Sequence, residues 1–285
     1  MKKLITLTIM LAIATWAMAQ TSGGYVKKPK PVQGTTTTQK SKPSQKPKPK
    51  STAITAEQRQ RILDNLINNM IYVEGGTFTM GATPEQGNDV SDREKPAHQV
   101  TLSSFYIAET EVTQELWLAV MGSNPSESKG ANRPVTNINW DDCQTFIHKL
   151  NTLTGKTFRL PTEAEWEFAA RGGNKSQGYK YSGSNTAGNV ARSLENSDDS
   201  KIYPVKTKSP NELGIYDMSG NVVEWCQDWL TENYYSSYPL KDSSGSYRVI
   251  RGGCGYDSAE SCRVSSRNGI HPNARWHWLG LRLAL

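Results

Sequence analysis

Residues that can bind metals or ligands are concentrated at the C-terminal end of the chain. Two strand-like runs, Tyr247–Arg251 and Leu279–Leu285, enclose a segment with little hydrophobic periodicity. The polar and aromatic side chains of that segment are Cys254, Tyr256, Asp257, Cys262, Arg267, His271, Arg275, Trp276, His277 and Trp278. A loop of this composition, held by strands at both ends, is where binding or chemistry usually takes place. The alternative interpretation is a C-terminal hairpin whose long aromatic loop is buried.

The cysteines are better suited to a disulfide than to a metal site. The chain has four, Cys143, Cys226, Cys254 and Cys262, which allow three pairings in an oxidising compartment. Their spacing matches neither a zinc site nor a Cys-x-x-Cys motif. We expect a Cys254–Cys262 disulfide, because it would close the terminal loop, and we expect the other two thiols to be buried and free.

The run Phe158–Gly173 contains three carboxylates at short spacing, Glu163, Glu165 and Glu167. These side chains could suggest acid–base chemistry. However, carboxylates are also stabilising near the N-terminus of a helix, and Trp166 would then pack inward. We therefore interpret the three glutamates as structural.

The run Gly214–Trp229 has a tight turn at Gly220 with Asn221 and Glu224 beside it. Amide, carboxylate and carbonyl oxygens are the ligands that Ca²⁺ prefers. The turn therefore suggests a structural calcium site at Asn221 and Glu224, with Asn189 as a candidate for a second one. The alternative is a purely structural turn, because the acid density of an EF-hand is lacking.

The N-terminus has the pattern of a secretory signal peptide. Lys2 and Lys3 precede the apolar run Leu4–Ala17, and a small-x-small cleavage site ends at Ala19. We expect residues 1–19 to be removed and the protein to be exported to the periplasm, the cell surface or the medium. No later segment approaches the roughly 18 apolar residues of a membrane span, so we expect no transmembrane segment.

Residues 20–53 have the composition of a disordered linker. They are rich in Lys, Pro, Thr, Ser and Gln, so they would bury too little apolar surface to offset the entropy of the chain. The segment could lift the folded part away from an envelope surface, or it could simply keep the protein soluble.

The net charge of +6 comes from the N-terminal region. The first 50 residues contain ten lysines and no acid, so residues 51–285 have 23 basic and 27 acidic side chains and a net charge of −4. The folded part is mildly acidic and has no long basic stripe. This composition argues against nucleic acid as its main partner.

Helices and short strands are predicted in irregular order. An amphipathic helix is expected over 54–70, begun by a capping box of Thr55 and Gln58. Further helices are expected over Thr113–Met121, Trp140–Leu153 and Thr162–Ala170, and strands within Ile71–Met80 and over His98–Ile107. Long polar connections separate these elements, over Gly81–Pro96, Gly122–Arg133, Gly173–Lys201 and Thr231–Ser246. The pattern predicts one α+β domain at 71–285 with much irregular structure, not a doubly wound parallel sheet.

Six segments, in order over about residues 71–285, resemble the formylglycine-generating enzyme family, also called the sulfatase-modifying factor family. They are VEGGTFTMG (73–81), EVTQELW (111–117), RPVTNINWDDC (133–143), FRLPTEAEWEFAARGG (158–173), PNELGIYDMSGNVVEWCQDW (210–229) and YRVIRGG…CRVSSR…GLRLA (247–284). The resemblance implies a compact single α+β domain, similar to a C-type lectin, with calcium-stabilised loops.

The catalytic members of that family bind copper with two cysteines after the RGG motif and oxidise a sulfatase cysteine to formylglycine. Here Asp257 stands where the first cysteine is expected, and the second is also missing. Copper(I) needs soft ligands, so we expect no copper site, and formylglycine synthesis is the alternative function. The three-histidine iron site of sulfoxide-synthase relatives has no counterpart among His98, His148, His271 and His277.

The resemblance therefore implies a binding or scaffold module that has lost catalysis. One subset, the variable proteins of diversity-generating retroelements, has hypervariable positions that would correspond to 255–261 and 269–278. We expect the loop 255–278 to form a face that binds a protein or a glycan at the cell envelope. Its residues would be Tyr256, Asp257, His271, Arg275, Trp276, His277 and Trp278. The competing interpretation places Trp276 and Trp278 in the core.

Overall fold

The computed structural model describes residues 54–88, 90–198, 202–230 and 245–285. The predicted signal peptide (1–19) and linker (20–53) lie outside the described residues, as does most of the connection 231–246. Residues 51–285 form one unit of mixed helices and short sheets. Among the described residues, no helix is long and apolar enough to cross a membrane.

The first helix begins where its capping residues predict. α1 (Ala56–Asn68) follows Thr55, whose hydroxyl accepts from the Gln58 N–H while the Gln58 side chain accepts from the Thr55 N–H. These two bonds satisfy backbone donors that a helix start leaves free. Leu63 is buried, and the helix packs against α2 (Gln114–Met121). The helix is therefore part of the folded unit.

Residues 70–108 form two short antiparallel strand pairs. β1 (Met70–Val73) pairs with β4 (Phe105–Ala108), and β2 (Gly76–Met80) pairs with β3 (His98–Leu102). The single strand predicted over 98–107 is therefore two strands, because its two halves pair with different partners. The alternating pattern does not reveal this change of partner.

A four-stranded sheet supports the C-terminal segment. Its order is β7 (Arg267–Ile270), β6 (Arg248–Arg251), β5 (Val223–Trp229) and β8 (Leu279–Leu281). The two runs predicted to bracket the loop are not neighbours, because β5 lies between β6 and β8 and runs parallel to β8. The hairpin interpretation was therefore wrong, and the sequence analysis missed β5 and β7.

Helices cover this framework. α3 (Trp140–Thr154) and α4 (Glu163–Ala170) both begin with capping boxes, and a short α5 (Ala187–Val190) follows. The rings of Trp117 and Phe146 stack 4.8 Å apart inside one large apolar cluster. A second cluster surrounds Trp166 and Phe168 of α4, so α4 is buried along its whole length.

Glu224, a predicted calcium ligand, is instead part of a buried ion pair. Its carboxylate accepts from Arg282 at 2.7 Å and from the indole N–H of Trp166 at 2.7 Å. Glu224 and Arg282 are both fully buried. Both oxygens of the Glu224 carboxylate therefore accept hydrogen bonds from protein donors.

The other predicted calcium ligands are also engaged elsewhere. The Asn221 amide donates to Glu111 at 2.9 Å, and its oxygen accepts from the Tyr203 N–H at 2.9 Å. Asn221 is buried, whereas Asn189 is exposed and its amide donates to Ser184 at 3.4 Å. The side chains of Asn221 and Glu224 are thus engaged within the protein, and the calcium site that the sequence suggested stays a prediction.

The Glu224–Arg282 pair gives a stability prediction. Glu224→Gln leaves a fully buried guanidinium without its carboxylate, so urea unfolding should show a loss of about 3–5 kcal/mol. The control is Glu115→Gln, which changes an exposed glutamate of α2 and should stay within about 0.5 kcal/mol of the parent. An equal effect of the two substitutions would contradict the assigned role of the pair.

Candidate functional site

Arg251, the last residue of β6, closes the base of the C-terminal loop. Its buried guanidinium donates to the carbonyls of Val264 at 3.2 Å and Ser265 at 2.9 Å, and it pairs with Glu167 of α4. Val264 and Ser265 follow residues 252–262, which we call the loop from here on. One side chain therefore ties together the residues before and after the loop, and α4 holds that side chain.

Two further buried ion pairs hold the chain directly after the loop. Arg263 donates to both carboxylate oxygens of Glu94, at 2.7 and 2.8 Å. Arg267 donates to both oxygens of Glu163, at 2.6 and 2.5 Å. Bidentate pairs of this kind fix orientation as well as distance. The structural interpretation of Glu163 agrees with this arrangement.

The loop opens with two glycines. Gly252 and Gly253 have φ of 97° and 69°. A Cβ on Gly253 would lie 2.8 Å from the sulfur of Cys262. Any other residue at this position would be strained and would collide with the far end of the loop.

Aromatic side chains from two loops, residues 252–262 and residues 271–278, meet on the surface. Tyr256 contacts His277 edge to face, with ring centroids 4.9 Å apart, and Trp276 contacts Trp278 at 4.2 Å. Tyr256 and Trp276 are each 42% exposed, while His277 and Trp278 are half-buried. Trp276 is therefore a surface residue, whereas Trp278 packs with one side against the large apolar cluster. We call the surface formed by these four side chains the aromatic face.

The other predicted ligand-binding residues are placed differently. Asp257 is half-buried, and its carboxylate accepts from the Cys254 N–H at 3.0 Å, which makes it a residue that shapes the loop. Arg275 is exposed but pairs with Asp142 of α3, with one contact of 3.1 Å. The imidazole of exposed His271 accepts from the Asn273 N–H at 3.3 Å.

The Cys254–Cys262 disulfide is not formed in this structure. All four cysteines are buried and free, as was expected only for Cys143 and Cys226. The Cys254 thiol donates to Asp257 at 3.2 Å, and the Cys262 thiol contacts the Ser258 carbonyl at 3.8 Å. Each sulfur thus has its own partner within the loop.

The thiols are also poorly placed to bind a soft metal. Burial, reinforced by the charge of Asp257, raises the pKa of Cys254 and of Cys262 well above the usual thiol range. Metal binding requires the thiolate, which these surroundings disfavour. Within the described ranges, no three His, Cys, Asp or Glu side chains are grouped so that they could hold a metal ion.

Leu194 is a further exposed apolar residue beside the loop, and the sequence did not indicate it. It is 54% exposed, and its N–H donates to the carbonyl of Asp257 at 2.8 Å. The neighbouring Glu195 accepts from the Ala259 N–H at 3.1 Å, so the segment is fixed against the loop. A single leucine in a polar, Asn- and Ser-rich connection carries no sequence signal for this role.

A groove of about 820 Å³ lies elsewhere, between α1, residues 108–116 and residues 204–206. No residue of the aromatic face lines it. The aromatic face is therefore an exposed surface and not the wall of this groove.

Comparisons with known proteins agree with this architecture. The chaperone protein LppX of Paenibacillus barcinonensis is 34% identical over 260 residues, covering 72% of this chain and 87% of its own. The formylglycine-generating enzyme of Streptomyces coelicolor is 29% identical over 283 residues, covering 75% of this chain and 88% of its own. The solved structure of Treponema denticola variable protein 1 has a TM-score of 0.67 at 37% identity, covering 75% of this chain and 94% of its own.

The predicted fold class, α+β of the formylglycine-generating-enzyme type, is confirmed by these likenesses. The family model described as "Sulfatase-modifying factor enzyme 1-like domain" matches residues 55–285, which include α1 and every described strand. This match shows that the chain belongs to the sulfatase-modifying factor family.

Proposed function

We propose that the protein is an exported, non-catalytic module that binds a ligand through the aromatic face. The observation that carries the proposal is the exposure of Tyr256 and Trp276, each paired with a second ring. Tyr256 lies on a loop that is tied down by buried ion pairs. Tyrosine and tryptophan bury a large area at a small entropic cost, so they dominate binding interfaces. A rigid base lowers the entropic cost of binding further.

A protein ligand fits the face better than a glycan. Leu194 adds an exposed aliphatic side chain beside the loop, and an aliphatic side chain gains from contact with another apolar surface. The name of the Paenibacillus relative, a chaperone, also supports a polypeptide ligand. The ligand would be met at the cell envelope, because the N-terminus has the pattern of an export signal.

The face could further be diversified by a retroelement. The similar structure from Treponema denticola is called a variable protein. The positions that would vary, 255–261 and 269–278, include all four residues of the aromatic face. A reverse transcriptase gene beside this gene, together with a near-copy of its 3′ end, would support this narrower proposal.

Capture from envelope extracts tests the binding face. The mature chain should retain a ligand from the extract. The variant Tyr256→Ala/Arg275→Ala/Trp276→Ala should bind that ligand at least ~10-fold more weakly. Truncating an interface residue of these types can cost about 2 kcal/mol or more of binding free energy. The same comparison on a glycan array separates a glycan from a protein ligand.

The matched control changes an aromatic pair that lies outside the face. Tyr72 and Tyr106 are opposite each other on β1 and β4, 54% and 43% exposed, with rings 5.3 Å apart. The variant Tyr72→Ala/Tyr106→Ala should bind like the parent. Equal binding by the parent and the triple variant would show that the aromatic face is not the site.

The alternative function, formylglycine synthesis, has a direct assay. The mature chain is incubated with copper(I) and a peptide that carries the sulfatase Cys-x-Pro-x-Arg motif, with the Streptomyces coelicolor enzyme as positive control. We expect the mass of the peptide to stay unchanged, because Asp257 replaces the expected cysteine and both nearby thiols are buried. A mass change corresponding to conversion of CH₂SH into CHO would show that the protein is a formylglycine-generating oxidase.

A further inference from the structure

Arg248, the first residue of β6, is held between two indole rings. Its guanidinium carbon lies 3.8 Å from the ring centre of Trp140 and 3.6 Å from that of Trp229. The Trp140 ring is itself fixed, since its N–H donates to the Cys226 carbonyl at 3.3 Å. Both faces of the guanidinium are therefore covered, and only its N–H edges remain for hydrogen bonding.

One N–H edge of Arg248 has no acceptor among the residues that the structure describes. Nη1 donates to the Gln227 carbonyl at 2.7 Å. Nε is buried and has no hydrogen-bond partner among the residues that the structure describes. Nε and Nη2 form the edge that can donate two parallel bonds to a planar carboxylate. The edge suited to a bidentate contact is thus the one for which no described residue supplies an acceptor.

The charge of Arg248 is also not neutralised by direct contact. In the described ranges no carboxylate pairs with it, whereas Arg251, at the other end of the same strand, pairs with Glu167. Asp141 and Asp228 are near enough to act on it electrostatically without touching it. Asp228 accepts from the Glu163 N–H at 2.7 Å and is engaged there.

The stack of Trp140, Arg248 and Trp229 borders residues 271–278, the second loop of the aromatic face. Arg248 pairs with Ile270, the residue before His271. The backbone N–H of Trp140 donates to the Pro272 carbonyl at 3.0 Å. A ligand that covers residues 271–278 would therefore reach the stack.

We propose that Arg248, between Trp140 and Trp229, forms a slot for an aspartate or glutamate carboxylate of a protein ligand. The guanidinium is preorganised by its two rings, so little side-chain entropy is lost when it binds. A buried donor without an acceptor is also costly, and a ligand carboxylate would remove that cost. The identity of the ligand as a protein rests on the proposed function, but the slot itself does not.

Short probe peptides test the slot independently of the aromatic face. The ¹⁵N-labelled mature chain is titrated with acetyl-Gly-Glu-Gly-amide and, separately, with acetyl-Gly-Gln-Gly-amide, and the Arg Nε–H resonances are followed by NMR. The Arg248 Nε–H signal should shift saturably with the glutamate peptide, and binding of the glutamine peptide should be at least ~10-fold weaker, because a charged acceptor is lost.

Two lysine substitutions separate a bidentate contact from simple charge. Arg248→Lys keeps the positive charge but loses the two parallel N–H donors of the guanidinium, so binding of the glutamate peptide should weaken about 10-fold. Arg192→Lys is the control, because Arg192 also stacks on an aromatic ring, that of Tyr203 at 4.0 Å, and it should bind like the parent. The peptide comparison on the parent protein decides the question even if Arg248→Lys does not fold.

The outcomes distinguish this proposal from the proposed function. No shift of the Arg248 signal, or equal binding of the two peptides, overturns the slot whatever the aromatic face does. If glucuronate bound at least ~10-fold more tightly than the glutamate peptide, the slot would be one for an acidic sugar and not for a protein carboxylate. Loss of ligand by the triple alanine variant, with the peptide titration unchanged, would show that the two sites act separately.

Discussion

Buried guanidinium–carboxylate pairs are the constraint on which the rest of the domain depends. Glu163 and Glu167, one turn apart on α4, take Arg267 and Arg251 from two neighbouring strands. A buried ion pair gives little net stability, but losing one partner leaves a charge in the interior and costs about 3–5 kcal/mol. The position of α4 against the sheet is thereby fixed, because few other arrangements satisfy these charges.

The same pairs separate the framework from the surface that we propose binds a ligand. Arg251 and Arg263 anchor the chain immediately before and after residues 252–262, and neither contact uses a side chain of the aromatic face. Tyr256 is exposed within these residues, and Trp276 is exposed on the second loop, residues 271–278. The residues that hold the fold differ from those that form the aromatic face. The exposed side chains of the face can therefore change without removing a partner from a buried charge.

The sequence predicted local structure well and long-range pairing poorly. The cap of α1 by Thr55 and Gln58 depends on neighbours in sequence, and it was found as predicted. The ion pair of Glu224 was not predicted, since its partner Arg282 lies 58 residues away and no spacing rule connects them. β5 was missed for a similar reason: its strand character comes from its two neighbours in the sheet.

The candidate site was predicted in part. Tyr256 and Trp276 were found from residue type and position, because exposed aromatic residues between two strands are a recognisable signal. Asp257 and Arg275 were assigned to the binding face, yet they hold Cys254 and Asp142. Leu194 was missed, because only the folded chain brings it beside Asp257. Residue type indicates what a side chain can do, but its partner decides what it does.

Saturation mutagenesis with a folding readout tests the central claim most directly. Libraries at Tyr256 and Trp276, and at Arg251, Arg263 and Arg267, would be scored by resistance of the displayed chain to protease. The account predicts that most substitutions at the two aromatic positions leave the chain folded, while nearly all substitutions at the three arginines unfold it. Equal tolerance at both sets of positions, or unfolding caused by changes at Tyr256 and Trp276, would contradict the separation of framework and face.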